Sequence, residues 1–489
     1  MCRGRLTKVL LSCVFSLITL CVGKEDVKLN EIQVLHSHNS FHVAPNADLL
    51  DLLKSPVVQS ALLDPGLLGS IQSLEYSHVS LTEQLKKFGV RSFELDVFYD
   101  PEGGLFASRA GAKLAGLNGT SDDPAWKEPG YKVFHIPDLD FETTCVGLQS
   151  CLTEIRTWSE ENPDHIPITI YIEPQSFDTE KALGQDGTSL VETLLQVQEG
   201  EPRKLATTLP INTKAFEALK EEILEALDSS QLITPDELTK NSGSLKEVII
   251  DAGNWPTVSE LRGRIVIVIS PPFTDELLRI YPNLKGSPFF PSAFKQSINE
   301  HTLFVFPDAL APTLTGNVST WDEQIEVLVA DVQGFVEQGY IVRAFTDSFS
   351  LEARDNFTAR STAIAAAGAH FLSTDFPGGR TPTLFDSNYT VELKNAASAV
   401  CNPVTAPSTC KSSSLAEKSV QKQRKKNRKK PEADSVQPDS SKDSEKDEVS
   451  VTSSPAPPEI QLSLGWSSTP RQILVHWIFS IGALIFFVV

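Results

Sequence analysis

Between residues 29 and about 403, eight short apolar runs rich in β-branched residues recur, at 32–35, 92–97, 132–135, 168–172, 265–269, 302–306, 340–345 and 370–373. Runs of this length and make-up read as strands. Helix-like stretches lie between several of them, at 148–161, 213–227, 323–338 and 353–367. Strand and helix alternating in this way predict an α/β chain folded as one closed (β/α)8 barrel, the TIM-barrel architecture. Its active site gathers at the carboxyl ends of the strands, so polar residues at those ends are where chemistry is expected.

The first run leads into HSHNSFH, residues 36–42. The second, SFELDVF, sets Glu94 and Asp96 two residues apart, so both project from one face while Leu95 points to the other. Two carboxylates facing one way repel each other. A divalent cation relieves that cost, and an all-oxygen set suits Ca²⁺ or Mg²⁺ better than Zn²⁺. The third run closes with His135 and the fourth with Glu173. Taken singly, a strand-end carboxylate is usually a cap or ion-pair partner, and a lone histidine is usually a hydrogen-bonded structural residue. Together they terminate four successive strands of a fold that collects strand ends into one mouth, and charged groups are rarely buried unpaired.

The remainder of the chain is read by composition. Lys plus Arg is 43 against 63 Asp plus Glu, a net charge of −20, which argues against nucleic acid as a partner. Arg3, Arg5 and Lys8 precede an apolar stretch over 9–22, and residues 1–23 are expected to be a signal peptide. Four cysteines then remain, and in an oxidising compartment the short segments between them favour the local pairs Cys145 with Cys151 and Cys401 with Cys410. Sequons at Asn118, Asn317, Asn356 and Asn388 fit a secreted surface. The catalytic domain is expected over 24–410. After it comes a Ser-, Lys-, Asp-, Glu- and Pro-rich stretch, 411–470, that reads as a disordered stalk. Its basic run at 421–430 reads as part of a solvated linker. Residues 471–489 are expected to direct a glycolipid anchor or to form a single transmembrane helix, placing a monomeric protein at the outer cell surface.

The ordered blocks LNEIQVLHSHNSFHVAP, LTEQLKKFGVRSFELDVFYDPEGG, YKVFHIPDLDFETTCVGLQSCL, NPDHIPITIYIEP, ELRGRIVIVI, GYIVRAFTD, AGAHFLSTDFP and CNPVTAPSTC resemble the calcium-dependent phosphoinositide-specific phospholipase C family, in its secreted, bacterial-like branch. The resemblance implies a TIM barrel, a Ca²⁺ cofactor, a phosphoinositide substrate at a membrane surface, and cleavage of the phosphodiester between glycerol and inositol. Residue by residue, it implies catalytic roles for His38 and His135, metal ligation by Asn39, Glu94, Asp96 and Glu173, and substrate binding by Arg343. Which histidine is the acid and which meets the phosphoryl group stays open. The chain departs from the family pattern at His36-Ser37, where Gly-Thr is expected, and beside Arg343, where a second arginine is expected. A glycerophosphodiester phosphodiesterase is the alternative enzyme class, although its His-Arg-Gly start is missing. A catalytically silent surface binding protein on the same scaffold is the alternative outside enzymes.

Overall fold

A computed structural model describes residues 27–55, 71–176, 206–240, 242–307, 321–348, 350–378 and 383–418. Its centre is built by eight parallel strands: β1 (Ile32–Ser37), β2 (Ser92–Asp100), β3 (Ile168–Gln175), β4 (Ile265–Ile269), β5 (Phe290–Phe294), β6 (Phe304–Phe306), β7 (Ile341–Phe345) and β8 (Phe371–Thr374). Each pairs with the next in sequence order. β8 returns to β1, with Val34 opposite Phe371 and Ser37 opposite Thr374, and the sheet closes on itself. This is the expected (β/α)8 barrel.

Closure removes both sheet edges and divides every strand into an inward and an outward row. Along β2 the odd-numbered Phe93, Leu95 and Val97 are fully buried in the main apolar core. Such residues meet helices such as α1 (Leu148–Glu161), α2 (Thr213–Ala226) and α3 (Trp321–Glu337). Helix α1 buries Leu148, Cys151, Leu152, Ile155 and Trp158, one stripe at three- and four-residue spacing. The inward row is different: His36, Tyr171, Phe304 and Phe371 form a set of edge-to-face and stacked rings. Above that aromatic floor lie the polar strand ends.

Two assignments made from the sequence change. Residues 132–135 do not form a barrel strand: Gly130–Val133 is a short strand running antiparallel to the outer half of β2, with Tyr131 opposite Tyr99. The barrel's remaining strand is β5, whose sequence FPSAF has no β-branched residue and carries Pro291 and Ser292, so strand propensity concealed it. The helix expected over 353–367 is broken into Leu351–Asp355 and Ala359–Ala366 by Asn356, which takes a left-handed φ of 50°.

Both cysteine pairs are bonded as expected, Cys145 to Cys151 and Cys401 to Cys410. The packed domain continues past Cys410, where the stalk was expected to begin. Leu415 is buried, and Glu417 reaches under the barrel to accept hydrogen bonds from Arg91 Nε at 2.7 Å and from the Ile166 amide at 2.8 Å. Arg91 and Ile166 stand at the roots of β2 and β3, the two strands that carry the acidic residues. The expected signal peptide, the basic run and the C-terminal anchor segment lie outside the described residues.

Candidate active site

Local backbone geometry sets the first half of the site. The His38 amide donates to the Thr374 carbonyl at 3.0 Å and so extends the β1–β8 ladder by one residue. The chain then turns at Asn39, held at a left-handed φ of 41°, which asparagine tolerates better than most residues. Ser40 clamps the turn: its hydroxyl donates to the Ser37 carbonyl at 2.7 Å and accepts from the Glu94 amide at 2.9 Å. The Asn39 amide thereby points at the Glu94 carboxylate, 3.2 Å away.

His38 is oriented from behind. Its Nδ1–H donates to Asp375 Oδ1 at 2.7 Å, its Nε2 stands 3.6 Å from Glu94 Oε2, and its backbone carbonyl accepts from His78 Nε2 at 2.8 Å. Burial alone would depress the His38 pKa, but Asp375 and then Glu94 outweigh it and hold the ring above its ordinary value. Burial would raise Asp375, yet the His38 charge and hydrogen bonds from His38 and Tyr76 keep it low, so the pair is held as an ion pair.

The carboxylates come next. Asp96 lies opposite Glu173 in the β2–β3 register. Burial, then Glu173 and Glu94, push Asp96 far above the carboxylate range, and burial with Glu94 pushes Glu173 up to about 8. Glu94 behaves oppositely: burial would raise it, but the Arg343 guanidinium, and after it His38, hold it far below the usual range. Arg343 grips Glu94 with both arms, Nη1 to Oε1 at 2.6 Å and Nη2 to Oε2 at 2.7 Å. Asp96 Oδ1 is buried with no hydrogen-bond partner among the described residues. Oxygen donors that repel one another, with one buried acceptor unsatisfied, fit a hard divalent cation.

His135 enters from the antiparallel excursion rather than from a barrel strand. Its Nδ1–H donates to Asp140 Oδ2 at 2.6 Å, and Asp140 also accepts from His42 Nε2 at 2.9 and 3.1 Å. Burial would raise Asp140, but His42 and then His135 bring it down to about 2. Among the described residues, His42, His135 and Asp140 are the group whose possible ligand atoms fall within 4.8 Å of one another. The N···O distances of 2.6 and 2.9 Å are nonetheless hydrogen-bond lengths. Two ligands of one tetrahedral zinc at about 2.0–2.1 Å would stand roughly 3.3 Å apart. The trio is a carboxylate shared by two imidazoles.

The structure therefore links His38, Asn39 and Glu94 by direct contact, sets Asp96 and Glu173 beside them, and engages Arg343 with Glu94. Sequence reasoning missed Asp375, Asp140 and His42. Each stood in a quoted block, and Asp375 directly follows a strand, the position already known to matter.

A family described as "Phosphoinositide phospholipase C, Ca2+-dependent" matches residues 27–403. No curated protein matches the chain. Similar solved structures include a calcium-dependent phosphoinositol-specific phospholipase C from the Gram-negative bacterium Pseudomonas sp in an apo form, myoinositol complex. It is 14% identical over 72% of this chain and 92% of that one, with a TM-score of 0.37. Another is a Ca²⁺-dependent phosphatidylinositol-specific phospholipase C from Streptomyces antibioticus, 15% identical over 71% of this chain and 94% of that one, with a TM-score of 0.35.

Proposed function

The chain belongs to the Ca²⁺-dependent phosphoinositide phospholipase C family and is a phosphoric diester hydrolase, and from that premise we propose that His38 and His135 carry the proton chemistry beside a calcium site formed by Asn39, Glu94, Asp96 and Glu173. The substrate is a phosphatidylinositol-type lipid. Its inositol hydroxyl next to the phosphodiester attacks phosphorus intramolecularly and the glycerol oxygen leaves, an arrangement in which proximity replaces an external nucleophile. A bound calcium ion would neutralise charge on the phosphoryl oxygens and lower the pKa of the attacking hydroxyl. His38 moves the proton at its Nε2, because Asp375 fixes Nδ1 and stabilises the protonated ring. His135, held through Nδ1 by Asp140, meets the phosphoryl group as donor.

The observation that carries this reading is the pairing of a carboxylate-backed histidine, His38, with a cluster of buried carboxylates that includes an unsatisfied oxygen on Asp96. The test is an assay of labelled phosphatidylinositol, glycerophosphoinositol and glycerophosphocholine with and without chelator. Calcium-dependent release from phosphatidylinositol alone supports it. Turnover of glycerophosphocholine would favour the glycerophosphodiesterase reading, and no turnover of any would favour a binding protein.

The same proposal places the domain outside the cell, on a stalk beyond residue 418 held by a glycolipid anchor or a single helix. The two disulfides and the exposed sequon residues Asn118, Asn356 and Asn388 support it. Among the described residues no helix is long and apolar enough to cross a membrane. Peptide mass spectrometry of the mature protein decides the anchor: recovery of residues 473–489 would exclude a glycolipid.

A further inference from the structure

The buried arginine under the site is not spent on substrate. Arg343 projects from β7 into the barrel with no side-chain exposure. Its fork is closed on Glu94, and its Nε donates to Ser373 Oγ at 3.3 Å. The guanidinium carbon lies 4.8 Å from the Phe306 ring, 5.1 Å from Tyr171 and 5.2 Å from Phe345, so aromatic faces surround what the carboxylate does not. A group fixed by three hydrogen-bonding nitrogens and three rings is not poised to reach a head group at the mouth.

We propose that Arg343 is the permanent counter-cation of the calcium site, a positioning residue that aims Glu94 and cancels one of its charges so that the site accepts a divalent ion in preference to a trivalent one. The inference rests on the calcium-site reading above. The charge count makes the argument: Glu94, Asp96 and Glu173, ionised around a bound metal, face one built-in guanidinium, leaving two negative charges to be matched. A bidentate arginine uses one lone pair on each Glu94 oxygen; the Asn39 amide takes the second on Oε2, and Oε1 keeps its second free. Glu94 can thus serve arginine and metal together, with the arginine choosing its orientation. Without Arg343 three negative charges would converge, and a trivalent ion would gain more than a divalent one from the added charge.

The test is binding, not activity. Calcium affinity is measured by calorimetry on the full chain, and terbium affinity by luminescence, for wild type, Arg343→Lys and Arg343→Met. Arg343→Met is expected to shift the terbium-over-calcium preference by about tenfold or more, and Arg343→Lys, which keeps the charge, to stay near wild type. An unchanged preference in Arg343→Met overturns the inference. Should Arg343→Met fail to fold, Glu94→Gln is compared with the double variant Glu94→Gln/Arg343→Met, in which both halves of the buried pair are neutralised together. The double variant is expected to bind calcium about tenfold more tightly than Glu94→Gln alone, because the unmatched positive charge is gone. Equal affinities overturn the proposal. A wild type that binds no calcium would overturn the calcium-site reading itself, and this inference with it.

Discussion

Each catalytic histidine candidate has a carboxylate at Nδ1, and in both cases that carboxylate is more deeply buried than a surface ion pair would be. Asp375 accepts from His38 and Tyr76 and so holds one histidine, whereas Asp140 divides itself between two, His135 and His42, both nearly inaccessible. A buried carboxylate that accepts from a ring nitrogen fixes which nitrogen carries the labile proton, so its loss should affect rate more than binding. Replacing His38 or His135 by alanine is expected to lower turnover by about 10²- to 10⁴-fold, with calcium affinity nearly unchanged in calorimetry. Asp140→Asn should lower kcat with little change in KM and distort the alkaline or acid limb of the pH–rate profile. A wild-type profile with wild-type kcat in that variant would show that Asp140 is only structural. Asp96→Asn is expected to do the reverse of the histidine variants, weakening calcium binding first, with partial recovery of rate at high calcium.

At the scale of elements, the barrel was legible because seven of its strands announce themselves as β-branched apolar runs, and helices α1 to α3 as stripes of three- and four-residue period. What escaped was set by packing. The β5 segment FPSAF forms a strand because β4 and β6 flank it, with Val268 opposite Phe290 and Ser292 opposite Phe304, and not because its residues prefer extension. Conversely, YKVF at 131–134 has strand propensity but pairs backwards along β2, which no periodicity argument distinguishes from a barrel strand. His135 consequently follows an antiparallel excursion and meets Asp140, where its sequence position implied the end of a barrel strand. Of the Ser-rich, polar stretch after Cys410, residues 411–418 pack on the barrel despite their composition, because Glu417 satisfies a fully buried Arg91 and Leu415 is buried. Glu417→Ala leaves that arginine uncompensated and is expected to cost about 3–5 kcal/mol, as for other broken buried pairs. The check is the denaturant midpoint of the full chain. Cys145→Ala/Cys151→Ala should cost less, ~2 kcal/mol for so short a loop. A Glu417→Ala midpoint equal to wild type would mean that the strap is an ornament on a barrel stable without it.

For the molecule as a whole, burying so many carboxylates at one end of a barrel makes stability, pH and metal a single linked problem. Three acids at or just beyond the carboxyl ends of the barrel strands are raised in the folded, metal-free state: Glu173 to about 8 and Asp347 to about 7, with Asp96 higher than its ordinary value by a wide margin. Burial is the leading cause in each, followed by a neighbouring carboxylate. A raised acid keeps a proton that the unfolded chain gives up, so its contribution is present at low pH and is lost as pH rises through the folded pKa. His38, also raised, acts in the same direction. Opposing them are the buried histidines His78, His165 and His370, lowered to about 4 chiefly by burial, whose contribution falls away as pH drops below 6.5. The two groups separate above pH 6.5, where these histidines are neutral in both states and only the raised groups titrate. Metal-free protein is therefore expected to lose thermal stability between pH 6.5 and about 8. Calcium reverses the sign, because bound metal requires Asp96 and Glu173 ionised and its binding releases the protons they held. Its stabilising effect, about 2.7 kcal/mol at a hundred times Kd, should widen across that same interval. Thermal midpoints taken at both pH limits, with chelator and with saturating calcium, measure the gap directly. Two parallel curves would mean that the raised carboxylates are not where calcium binds.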